Sequence, residues 1–250
     1  MEQNNPFSLL GKTILVTGAS SGIGRAIAVE CSKMDAQMII TGRNKMRLNE
    51  TFASLSGEDH VQITADLSVE QDIENLIASL PKLDGCVNNA GIARQQLLQF
   101  SEKKDILDVF ETNTFSSFLL IQKLIQNKKL NKNASIVFVS SISGVYCSAV
   151  GEALYSASKA AINGYLKGLA LETANRGIRV NSVNPGLIET NLFNSFSMPF
   201  EVLEEKKKEY PLKRFGKPEE VAYAIVYLLS DASQWVTGSN LVIDGGYTLN

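Results

Sequence analysis

The stretch "TGASSGIG", Thr17–Gly24, closes the β-branched run "TILVT" of residues 13–17 and opens a segment whose apolar residues Ile23, Ile27, Cys31 and Met34 recur at helical spacing. Strand, glycine-rich turn and helix in that order begin a βαβ unit. The three glycines have different tasks: Gly18 allows a tight turn, Gly22 lets backbone come close to a ligand, and Gly24 lets the helix start near the sheet. Backbone N–H groups and the positive end of the helix dipole then face an anion. The spacing is G-x-x-x-G-x-G, not the G-x-G-x-x-G of the common dinucleotide fingerprint. Taken alone, the turn is an anion-binding junction or a purely structural one.

The pattern repeats along the chain. Further short apolar runs occur at 37–41 ("QMIIT"), 61–65 ("VQITA"), 85–89 ("GCVNN"), 135–140 ("SIVFVS"), 178–183 ("IRVNSV") and 240–244 ("NLVID"), with helix-period segments between them, one starting at Pro218. Strands apolar on both faces and joined by helices predict a parallel sheet with right-handed crossovers. The expected fold is α/β: a single-domain, doubly wound Rossmann fold with a seven-stranded parallel sheet and helices on both faces. No linker or repeat divides residues 1–250, so one domain is expected. The irregular segment 187–216 is expected to be a substrate-binding lid, with Leu192, Phe193, Phe196, Met198 and Phe200 capping a pocket or entering the core, and with "EEKKKE" as a solvated helical face.

Composition narrows the partners. With 44% apolar and 20% charged residues and a net charge of -2, the chain has no basic field that would draw it to nucleic acid or anionic lipid. No signal peptide is visible, and no apolar run reaches the roughly 18 residues of a membrane span. A cytoplasmic protein is expected. Cys31, Cys86 and Cys147, odd in number and far apart, read as buried reduced thiols. His60, the only histidine, reads as an exposed turn residue, and no metal site is expected.

"TGASSGIG", "NNAG" at 88–91, "YSASK" at 155–159 and "NPG" at 184–186 together resemble the short-chain dehydrogenase/reductase family, in its branch of about 250 residues, from near Gly11 to the "IDGG" of 243–246. Within it, "RGIRVNSVNPGLIETNLF" and "PLKRFGKPEEVA" are similar to β-ketoacyl-acyl carrier protein reductases. The resemblance implies a nicotinamide dinucleotide held by Gly18, Ser20, Ser21, Gly22, Ile23 and Gly24, with Asn89, Ala90 and Gly91 on the adenine-ribose side. Asp66 and Leu67 are expected to meet adenine, Ile188 and Thr190, after Pro185 and Gly186, the nicotinamide amide. Arg43, just past the second strand, can pair bidentately with the 2'-phosphate of NADP(H) where an acidic residue would repel it. Ser21 stands where many NADP-preferring relatives carry a second basic residue, which leaves NAD(H) as a second acceptable cofactor.

Tyr155 and Lys159, four apart on a predicted helix, share a face, and an ammonium beside a phenol favours phenolate. The resemblance makes Tyr155 the acid/base that moves a proton to or from the reacting oxygen, and has Lys159 tune it and hold the nicotinamide ribose. Ser141, 14 residues before Tyr155, is the expected oxygen-stabilising hydroxyl, with Ser140 and Ser143 as competitors. Asn113 matches the helix asparagine that orders a water near the lysine. The expected reaction is hydride transfer between a nicotinamide and a ketone or secondary alcohol, with a 3-oxoacyl group on a carrier protein leading over sugar, steroid or other small ketones. A non-catalytic cofactor-binding protein is the remaining class. A basic cluster of Lys128, Lys129, Lys132 and Arg176 is the expected surface for an acidic carrier, and a homotetramer is expected from the family's C-terminal and long-helix interfaces.

Overall fold

The computed structural model describes residues 5–190 and 200–249, the Phe200 side chain excepted; Leu192, Phe193, Phe196 and Met198 lie outside the described residues. Seven described strands form one sheet: β1 (Thr13–Thr17), β2 (Gln37–Gly42), β3 (Val61–Thr64), β4 (Leu83–Asn88), β5 (Leu130–Val139), β6 (Arg179–Pro185) and β7 (Asn240–Ile243). All pairings are parallel, in the order β3-β2-β1-β4-β5-β6-β7. The helices are α1 (Gly22–Lys33), α2 (Lys45–Ala53), α3 (Glu70–Ser79), α4 (Lys103–Phe110), α5 (Ser116–Gln126), α6 (Ala153–Thr173), α7 (Phe200–Lys208) and α8 (Pro218–Leu229).

Strand side chains alternate between faces, and β1, β2, β4, β5 and β6 are apolar at both parities, so each of these feeds two cores. Ile14, Val16, Met38, Ile40, Val87, Val137 and Val183 join Ile27 and Cys31 of α1 and Ile225 and Leu229 of α8 on one side. Their neighbours of the opposite parity within each strand, Leu15, Ile39, Cys86, Ile136 and Phe138, join Ile73 of α3, Leu120 of α5 and Leu166 of α6 on the other. Both layers are dry, and at roughly 2 kcal/mol for each buried aliphatic side chain they dominate the favourable side of folding. Pro218 occupies the first turn of α8, where its missing N–H leaves no bond unmade. No described helix is long and apolar enough to cross a membrane.

Two readings change in the structure. β5 runs from Leu130, five residues ahead of the apolar run that marks it, because Leu83 pairs with Leu130 across a register shift before Gly85 pairs with Ser135. His60 is half-buried and fully used: its Nδ1 accepts from the Met38 N–H at 3.1 Å and its Nε2 lies 2.8 Å from the Ser56 carbonyl. The strand order reverses between β1 and β4, and a crevice opens beyond the carboxyl ends of such strands.

Candidate active site

The glycine turn sits at that crevice. Gly18 has φ +63, and a side chain there would press on the Ala90 Cα at 2.8 Å. Asn89 braces the turn from β4: its Nδ2 donates to the carbonyls of Thr17 at 3.0 Å and Gly18 at 3.2 Å. Thr17 Oγ1 in return accepts from the N–H groups of Asn89 and Ala90. Ser21 is the N-cap of α1, yet its side chain makes no capping bond. First-turn N–H groups therefore point outward uncapped beside Gly22, which suits a pyrophosphate. Gly24 has no room for a Cβ, which would overlap the Gly18 carbonyl and the Asn89 amide.

The crevice continues into a cleft of about 310 Å³ lined by Ser21, Gly22 and Ile23, by Asn89 and Gly91, by Ser141, Tyr155 and Lys159, and by Pro185, Gly186, Ile188 and Thr190. Gly18, Ser20, Gly24 and Ala90 stand behind this lining and shape it through backbone contacts. Arg43, Asp66 and Leu67 lie off the cleft, past the adjacent strand ends of β2 and β3, where Gly42 pairs with Thr64. Arg43 is exposed and makes no ion pair among the described residues. Asp66 closes a local turn by accepting from the Ser68 N–H at 3.0 Å and the Ser68 hydroxyl at 2.7 Å. Burial opposes its ionisation, but these bonds and the Arg43 charge hold its carboxyl below the usual range.

On α6, Tyr155 and Lys159 face the cleft from successive turns, with Lys159 Nζ 5.9 Å from the Tyr155 ring centre. The ammonium is buried and donates to the Val139 carbonyl at 2.8 Å. Burial drives Lys159 down to about 8. Burial likewise pushes the Tyr155 phenol up to about 12, against the lowering effect of a hydrogen bond with Ser141 and with a further push from Glu152. In the protein without its cofactor, burial is the largest influence on the phenol and raises it. Three serines that the sequence left in competition separate cleanly. Ser140 donates to the Lys159 carbonyl, Ser143 donates to Glu152, and Ser141, oriented by the Ser143 N–H at 3.0 Å, meets the phenol.

Asn113 lies on a π-helical turn, Glu111–Phe115, between α4 and α5. Its Oδ1 accepts from the Ile92 N–H at 2.7 Å, and its Nδ2 donates to the Ile92 carbonyl and to Ser158 Oγ. The amide thus ties the segment after β4 to α6. A Cβ on Gly91 would lie 3.2 Å from Asn113 Oδ1 and 3.5 Å from Lys159 Nζ, so Asn113 and Lys159 flank the same glycine.

Several lining residues carry no sequence signal. Tyr210 stacks at 4.8 Å on Tyr247 and meets Phe215 edge-on at 5.5 Å, and its hydroxyl accepts from the Leu187 N–H. Lys206 and Glu209, from the run read as a solvated face, also line the cleft, as do Glu152 and Cys147. Cys31 and Cys86 are buried as expected, but Cys147 is only half-buried because it sits at this wall. The basic cluster is elsewhere. Lys128 and Lys129 precede β5 and Arg176 binds the Leu130 carbonyl, so they stand at the amino end of a strand of 10 residues, roughly 30 Å from Ser141. Among the described residues no group of histidine, cysteine or acidic side chains could hold a metal ion.

A profile of the family described as enoyl-(acyl carrier protein) reductase matches residues 18–248. Carbonyl reductase family member 4 of Danio rerio is 37% identical over 244 residues, covering 96% of this chain and 99% of the relative. The 3-oxoacyl-acyl carrier protein reductase of Thermotoga maritima is 37% identical over 247 residues, again covering 96% and 99%. Among solved structures, a short chain dehydrogenase family protein from Francisella tularensis superimposes with a TM-score of 0.85 at 34% identity, covering 96% of this chain and 99% of that one.

Proposed function

The chain belongs to the short-chain dehydrogenase/reductase family, and from that premise we propose that it is an NADP(H)-dependent oxidoreductase that interconverts a ketone and a secondary alcohol. The observation that carries this reading is the convergence of Ser141, Tyr155 and a buried Lys159 in the cleft that continues from the anion-binding turn. When bound, the nicotinamide dinucleotide supplies hydride to the carbonyl carbon or takes it from the alcohol carbon. Ser141 donates to the reacting oxygen and stabilises its developing charge. Tyr155, protonated at neutral pH, gives its phenolic proton to that oxygen as the C=O π electrons settle on it. Lys159 is the adjacent proton source that restores the phenol, and Asn113 fixes the segment against which it lies. In oxidation the proton runs the other way through the same groups.

The uncapped N-terminus of α1 takes the pyrophosphate, and Arg43, exposed and without an ion pair among the described residues, takes a 2'-phosphate; NAD(H) remains a second cofactor because Ser21 adds no charge. Residues 187–216 serve as a substrate-binding segment within one catalytic domain of residues 1–250. The relatives named 3-oxoacyl-acyl carrier protein reductase support a 3-oxoacyl thioester as substrate, and the zebrafish relative supports a small carbonyl compound. A carrier seated on Lys128, Lys129, Lys132 and Arg176 requires the cleft of a neighbouring protomer, which ties that reading to the homotetramer. The protein acts in the cytoplasm, with no nucleic-acid or membrane partner. NADPH oxidation is to be followed with a carrier-bound 3-oxoacyl substrate and with its small thioester analogue. Much faster turnover of the carrier form supports the acyl-carrier reading; equal turnover favours the small-carbonyl one, and no turnover of any ketone overturns the proposal.

A further inference from the structure

Glu152 is the N-cap residue of α6, three positions before Tyr155, yet its side chain makes no capping bond to the helix it precedes. Its Oε2 accepts from the Ser143 hydroxyl at 2.9 Å, and its Oε1 takes no hydrogen bond from any described residue. The carboxylate lines the same cleft as Ser141 and Tyr155 and has no salt-bridge partner among the described residues. A half-buried carboxylate held on one oxygen and open on the other is a receptor for a proton donor. The groups around it do not cancel its charge. Burial raises Cys147 of the β5–α6 loop and Tyr247 of the C-terminal turn, and Glu152 adds to both, with Asp244 acting also on the first and Glu209 on the second. Of the cations on the cleft wall, Lys159 donates to the Val139 carbonyl, Arg94 is engaged by Asp105 at 2.6 Å, and Lys206 of α7 makes no ion pair among the described residues.

We propose that Glu152 is a substrate-selecting residue: its free oxygen receives a hydrogen-bond donor or cationic group carried near the reacting carbonyl, and its charge turns away ketones with a carboxylate at that place. This rests on the ketone-reductase reading above and deepens it. A neutral ester or thioester of a keto acid is admitted, the corresponding free acid is disfavoured, and an ammonium-bearing ketone is preferred. Hydrogen bonds to an ionised acceptor in a partly dry site are about twice as strong as neutral ones, enough for roughly a tenfold preference.

The test uses three ketones of one skeleton: levulinate, its methyl ester, and the ketone of the same chain ending in a dimethylammonium group. With NADPH, the wild type is expected to order kcat/KM as ammonium above ester above carboxylate. Glu152→Gln should lower the ratio of ammonium to carboxylate kcat/KM by about tenfold or more. A parallel change in all three ketones, which is what a purely structural role would give, overturns the proposal. The same ligands are titrated by calorimetry into Tyr155→Phe and Tyr155→Phe/Glu152→Gln proteins, where turnover plays no part. A charge-ordered loss of affinity on removing Glu152 supports the assignment even if the wild type reduces none of the ketones, an outcome that would overturn the reductase reading alone; identical affinities in the two proteins overturn the assignment of Glu152.

Discussion

Lys159→Met is expected to make the cofactor-free protein more stable near neutral pH while ending turnover. The ammonium is buried, with the Val139 carbonyl as its one hydrogen-bond partner among the described residues, and burial lowers it from 10.5 to about 8. At about 1.4 kcal/mol per pH unit, that depression corresponds to a destabilisation on the order of 3 kcal/mol at neutral pH. Methionine fills the channel without charge but leaves the Val139 carbonyl short of a donor, which returns about 1 kcal/mol. The net gain is about 2 kcal/mol, or roughly 4–8 °C in Tm for a chain of this length. The pH dependence gives the sign. Between about 8 and 10.5 the unfolded chain holds the Lys159 proton and the folded chain does not, so wild-type stability from this group rises with pH across that window. The advantage of Lys159→Met is therefore full below about pH 8 and nearly gone by about pH 9.5. Urea unfolding of both proteins at these two pH values reads it directly. A methionine variant that is less stable throughout, or an advantage that ignores pH, refutes the reasoning.

Other consequences follow from the same geometry. Arg43→Asp should reverse a preference for NADPH into one for NADH, shifting the ratio of the two affinities by roughly 30-fold or more, since a charge-assisted pair is replaced by repulsion; fluorescence titration of both cofactors checks this, and equal affinities in the wild type exclude Arg43 as the phosphate reader. Gly24→Ala forces a methyl group against the Gly18 carbonyl and the Asn89 amide, so thermal unfolding should show a loss of about 1–3 kcal/mol and cofactor affinity should drop with it. Light scattering should give a mass near four chains, because Leu98, Phe100 and Leu107 by α4 and Trp235 before β7 are exposed on two separate faces; a monodisperse monomer refutes the tetramer.

The strands were legible as short β-branched apolar runs, and the glycine turn because only that backbone fits between β1, β4 and α1. The start of β5 was not, since Leu130 to Asn133 carry no apolar run and pair through a register shift. Tyr155 and Lys159 could be read as a pair because helical spacing alone puts them on one face, whereas Ser140, Ser141 and Ser143 are alike in sequence and differ only in what α6 presents to each. Asn113 was matched only through the family resemblance; the π turn that aims it at Ile92 has no local signature. What Lys159 does to Tyr155 is argued in the sequence from proximity alone, whereas the desolvation that raises the phenol exists only in the folded chain. Glu152, Tyr210 and Tyr247 reach the cleft from three separate segments, a convergence that exists only in the folded chain.

The central claim is that Tyr155 supplies the proton to the reacting oxygen, and Tyr155→Phe tests it most directly. Phenylalanine keeps the ring against α6 and removes only the hydroxyl that meets Ser141. Steady-state NADPH oxidation with a ketone that the wild type reduces, measured beside an NADPH binding titration, should show turnover lost by at least about a thousandfold with cofactor affinity nearly unchanged. Near-wild-type reduction by the phenylalanine variant would contradict the account.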